Sequence, residues 1–95
     1  MEPTQTPEPT APLSPQARTT LLAIATRLTE KRPNASLDDA RRRALALTYA
    51  TNAAGFLTDA STALEREVLD AMPPITRDSK VTRAEYADQL RAAVR

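Results

Sequence analysis

Residues 14–28 read SPQARTTLLAIATRL. Ser14 is a good helix cap, and Pro15 suits the first helical position, where its missing N–H costs nothing. Ala17, Leu21, Ile24 and Leu28 follow at spacings of four, three and four, so one helix face carries them all. Leu22 and Ala25 widen that face. Pro33 stops the helix near Lys31, because a residue ahead of proline avoids the α region. A helix with one apolar face of this kind needs other helices to bury it, and the remaining sequence provides them.

Toward the C-terminus, Ser36 is placed to cap a second helix, with Asp38 and Asp39 in its first turn, where carboxylates favour the positive helix end. This helix is expected from about Leu37 to Ala54. Its second half, ALALTYATNAAG, is apolar or small nearly all round and predicts the central helix of a bundle. Gly55, the chain's single glycine, is the natural stop, with Phe56 placed to pack back on the last turn. Thr62 with Glu65 fits a capping box for a third helix, while Thr58 or Asp59 would start it earlier. Ala60, Leu64, Val68 and Met72 form its stripe, and Pro73 and Pro74 end it. Thr82 with Glu85 is a second capping box, and Val81 with Tyr86 fits a hydrophobic staple. Tyr86, Leu90, Ala93 and Val94 then give the fourth helix its apolar face. No alternation suggests a strand. The expected fold is all-α, a small four-helix bundle whose short connections favour antiparallel neighbours.

Toward the N-terminus, residues 1–12 hold four prolines and two acids and, after Met1, no apolar run. Residues 1–13 are therefore expected as a disordered Pro/Thr-rich tail and residues 14–95 as the helical domain. A docking role for that tail is the functional alternative. Nothing there resembles a secretory signal, and no apolar stretch is long enough for a membrane span. The expectation is a cytoplasmic protein with no membrane association.

Composition narrows the chemistry. The 95 residues contain no His, Cys or Trp and carry a net charge of +1. Histidine-based hydrolysis and thiolate chemistry are excluded, and a metal site would need carboxylates alone. Ser79 and Lys80 are adjacent and do not face each other. Glu65 and Glu67 point to different helix faces, and the helix dipole explains Asp38 and Asp39. Neither carboxylate pair suits acid–base work. The chain is expected to be no enzyme and to hold no cofactor and no metal.

The segment DSKVTRAEY, Asp78 to Tyr86, resembles the second half of a calcium-binding EF-hand, with Glu85 at the bidentate ligand position. The resemblance implies a helix–loop–helix. Counting back, however, the first ligand positions fall on Pro74 and Thr76, and Ser79 stands where the turn wants glycine. Glu30 to Arg41 fits the same frame but ends in a cation. What the resemblance leaves is a calcium-free helix–loop–helix pair.

Two surfaces are candidates for contact. Lys31, Arg32, Arg41, Arg42 and Arg43 flank one loop and form a basic end for nucleic acid or an acidic partner, although successive arginines fan round a helix so that few face one way. Pairing of Asp38 with Arg42 would be the ordinary solvated alternative. The turn at Gly55 loosely resembles a helix-turn-helix, but the helix after it carries Asp59, Glu65, Glu67 and Asp70 against Arg66, which opposes DNA. Tyr49, Phe56 and Leu57 are the candidate apolar contact for a protein partner or for self-association. The function expected is a non-enzymatic binding or regulatory protein of inhibitor, antitoxin or accessory-factor type. A nucleic-acid-binding regulator is the alternative.

Overall fold

The computed structural model describes residues 13–78 and 80–94. Residues 1–12 of the expected N-terminal tail therefore lie outside the described residues, as does Ser79, while Leu13, expected as the last residue of that tail, is half-buried against the core. The described residues form four helices: α1 Pro15–Glu30, α2 Asp39–Ala54, α3 Asp59–Ala71 and α4 Arg83–Ala93. No strand occurs among the described residues, and the fold is an all-α four-helix domain.

The centre of the domain is α1, not α2. Its main partner is α4, and it also packs against α2 and α3. Thr20 joins Ala17, Leu21, Ile24, Ala25 and Leu28 on its buried face. Leu22 faces solvent instead of widening that face. The uniformly small and apolar second half of α2 misleads because alanines have little surface to bury. Its inward row is Arg42, Ala46 and Ala50, one residue per turn. Leu47, on the same helix, is 53% exposed. The short connections do not by themselves set the neighbours: α2 packs against α3, which follows it, whereas α1 closes on α4.

One apolar cluster joins the α1 face to Leu64, Val68 and Met72 of α3 and to Tyr86, Ala87 and Leu90 of α4. Ala60 and Ala93, expected inside, are exposed. Ser61 is buried in place of Ala60 because Thr58 is the cap of α3, and Thr58 and Ser61 form a reciprocal capping box. At the entry to α1, Ser14 accepts from the Ala17 N–H and donates its own N–H and hydroxyl to the two oxygens of Glu67, both at 2.8 Å. A single carboxylate thus ties the first turn of α1 to α3.

Each half of the chain is a helix–loop–helix, and the two loops lie side by side. Ser36 and Thr82 form an isolated antiparallel bridge. The Leu37 N–H donates to Val81 O at 3.0 Å, and the Arg83 N–H donates to Ala35 O at 2.9 Å. Ser36 is spent on this bridge, so α2 starts two residues later than expected, with Asp38 as its cap. Thr82 belongs to the bridge and also caps α4, accepting from the Glu85 N–H at 3.1 Å while Glu85 reaches back to the Thr82 N–H at 2.8 Å. Thr82→Ala removes the cap oxygen and should destabilise the domain by about 1 kcal/mol. In a domain of this size that lowers the melting temperature by roughly 4–8 °C. Thr82→Ser, which keeps the oxygen, should recover most of it. Thermal unfolding of the three proteins checks this, and equal melting temperatures would remove the cap assignment.

Candidate binding site

The arginine run of α2 splits into three different environments. Asp38 Oδ1 accepts from the Arg41 N–H at 2.8 Å, which fixes the helix start and leaves the Arg41 side chain exposed. Arg42 turns inward and is only 9% exposed. Its Nη2 donates to Leu69 O and Met72 O, its Nε to Pro73 O, and its Nη1 to Asp39 Oδ1, all at 3.0–3.1 Å. Those carbonyls belong to the last turn of α3 and the chain leaving it, where helical donors run out: Leu69 O accepts only the Met72 N–H at 3.2 Å from the backbone. Arg42 is therefore a C-terminal cap for α3 and cannot meet an outside partner. Arg43 is exposed, but its Nε is held by Asp39 Oδ2 at 2.8 Å. The partner of Arg42 is thus Asp39 and not Asp38. The hydrogen bond from Arg43, with the nearby positive charges, holds the Asp39 carboxyl below its usual range. A lowered carboxyl pKa stabilises the fold above the ordinary value near 4, and the contribution is lost as pH falls through the folded value.

Lys31, Arg32 and Arg41 remain outward, and the fold brings them together with two cations from elsewhere. Arg27 of α1 and Arg83 at the start of α4 join them around a concavity of about 300 Å³. Arg83 Nε donates to Lys31 O at 2.9 Å, which seats α4 against the first loop. Arg32 adopts φ +50°, uncommon for a residue with a side chain. None of these five cations has a carboxylate partner among the described residues. Arg27 signals its place in the sequence, one turn before Lys31. Arg83 does not, because only the bridge between the loops carries it there.

A second concavity, of about 400 Å³, continues along α2 and shares Arg27, Arg41 and Arg83 with the first. Leu45, Thr48, Tyr49 and Asn52 line the remainder. Tyr49 is half-buried and belongs to this groove. Phe56 and Leu57 lie on the turn between α2 and α3, where they are 76% and 84% exposed. Phe56 does not pack back on α2, because the chain leaves Gly55 at φ +101° and ψ 154°, outside the closing left-handed geometry. Leu57 also has a positive φ, at +58°. An aliphatic residue there carries a backbone penalty of about 1–2 kcal/mol. Thr58 holds the turn, donating its hydroxyl to Ala54 O at 2.9 Å.

Among the described residues no group of three or more His, Cys, Asp or Glu side chains could hold a metal ion. No described helix is long and apolar enough to cross a membrane. No family model, no curated protein and no solved structure matches the chain.

Proposed function

We propose that the protein is a non-enzymatic helical binding protein, of inhibitor, antitoxin or accessory-factor type, that acts through protein contacts with the turn at Phe56 and Leu57 as its anchor. The observation that carries this reading is the display of two adjacent large apolar side chains, 76% and 84% exposed, on a turn held in a costly backbone conformation. Scattered exposed apolar residues are ordinary; a strained turn that presents two of them is not. Buried aromatic and aliphatic anchors supply much of the affinity at protein interfaces. The paired helix–loop–helix halves, like a calcium-free EF-hand pair, supply a scaffold for contact.

The test places a photo-reactive benzophenone side chain at position 56 of the full chain in its native cells. Crosslinks should concentrate on one protein, either a distinct partner or a second copy. The same group at Ala63, exposed on α3, should give none. Diffuse labelling of equal yield from both positions would overturn the reading.

A further inference from the structure

We propose that the cationic groove formed by α1, α2 and the start of α4 binds a compact polyphosphate, and that the adjoining Tyr49 compartment takes a nucleobase attached to it. This goes beyond the protein-contact reading and uses a different surface.

Arg27, Lys31, Arg32, Arg41 and Arg83 come from two helix bodies, a loop and a helix start, yet they line one concavity of about 300 Å³. Like charges brought together repel unless a counter-charge joins them. For the other two arginines of the α2 run the counter-charge is internal: Asp39 spans Arg42 and Arg43. At the groove it is not. Glu30 and Asp38 are near in sequence, but neither lines the concavity, and Asp38 Oδ1 is committed to the Arg41 N–H. The charge is left for a ligand.

Charge density favours phosphate over carboxylate. A peptide brings at most one carboxylate per residue, so few fit beside five cations in so small a space. A chain of phosphates brings at least one negative charge per phosphorus in a shorter length. Four of the five cations are arginines, whose planar forks match phosphate oxygens two at a time. The backbone also limits their freedom, since Arg83 is tied to Lys31 O and the loop itself is bridged.

A second compartment, of about 400 Å³, adjoins the cationic one. Tyr49 offers a ring on which a base can stack, Leu45 an apolar wall, and Thr48 and Asn52 polar groups for a base edge. Base stacking on aromatic side chains is tolerant of base identity. A nucleotide and a nucleic-acid backbone share this phosphate chemistry, and separate ligands distinguish them.

The experiment titrates the full chain by calorimetry in metal-free buffer with tripolyphosphate, ATP, a short single-stranded oligonucleotide and oligoglutamate. Tripolyphosphate should bind saturably, and its affinity should fall about tenfold or more as salt rises from about 50 to 200 mM. The double variant Arg27→Gln/Arg41→Gln, both sites exposed and its fold checked by circular dichroism, should lose roughly tenfold or more, since it removes two phosphate contacts. Arg66→Gln on α3, outside both concavities, should not change it. ATP should bind more tightly than tripolyphosphate, and Tyr49→Ala should remove that gain alone. Tighter binding of the oligonucleotide than of ATP would assign the phosphates to a nucleic-acid backbone. No saturable tripolyphosphate binding, equal affinity in the Arg27/Arg41 variant, or oligoglutamate binding as tightly as tripolyphosphate would overturn the proposal. ATP no tighter than tripolyphosphate would overturn the base placement.

Discussion

Arg42→Ala should destabilise the domain by roughly 3 kcal/mol, the scale of removing one partner from a buried charged network. The substitution leaves Leu69 O, Met72 O and Pro73 O without their shared donor and removes one of the two arginines that hold Asp39. Small domains are stable by only a few kcal/mol, so the variant should sit near its unfolding midpoint at room temperature. Arg42→Met is the sharper control. It keeps the aliphatic stem and the volume but no donor, so packing alone would preserve it. Buried ion pairs can often be replaced by apolar groups without loss, but here Met72 O would lose its donor while Leu69 O keeps only the Met72 N–H and Pro73 O only the Tyr86 hydroxyl, and a buried carbonyl left unpaired is costly. Urea unfolding followed by circular dichroism checks both variants. Wild-type stability in Arg42→Met would remove the capping role.

Tyr86→Ala should have an effect of similar or larger size, about 3–5 kcal/mol, as expected for deleting a buried aromatic ring. Tyr86 is 1% exposed and is the largest fully buried side chain. Its hydroxyl donates to Pro73 O, the same carbonyl that Arg42 Nε reaches. Tyr86→Phe keeps the ring and loses that bond, so its cost should be only about 1 kcal/mol. The pair of variants separates ring from hydroxyl. Burial raises the phenol pKa above its ordinary value near 10, against an opposing influence from the Arg42 charge. A raised pKa means that the unfolded chain gives up the proton first. The contribution is therefore fully present below the ordinary value and is lost as pH rises through the folded one. Wild-type stability should fall above about pH 10, and Tyr86→Phe should show a shallower fall. Parallel alkaline slopes would show that Tyr86 does not carry this dependence.

Some local signals in the sequence hold, while others, such as the Ser36 cap and the Thr62–Glu65 box, do not. Ser14, Thr82 with Glu85, and the row Ala17, Leu21, Ile24 and Leu28 act within a few residues of chain, and the structure has each of them as read. The capping choice at α3 turned on Ser61, whose hydroxyl replaces the longer reach of a Glu. The burial of α2 was misjudged because period and polarity cannot say how much area an alanine row contributes. The basic end was only half legible. Three adjacent arginines look alike in sequence, but their directions differ by about 100° each. One became a buried cap, one an ion-paired surface residue, and one a groove cation. Arg83 was invisible as a groove residue because its position follows from the pairing of loops far apart in the chain.

That pairing has a consequence for how the chain is made. Ser36 waits for Thr82, and the buried face of α1 waits for α4, the last helix in the order of the sequence. Helical domains whose helices close on their immediate successors can settle piece by piece, and mostly local contacts fold fastest. Here α1 is completed by α4, the described helix farthest from it in sequence. During translation Leu21, Ile24 and Leu28 have their full covering only after Tyr86 and Leu90 have left the ribosome. The order of synthesis runs against the order of packing, and the apolar face of α1 stays open to solvent until α4 has emerged.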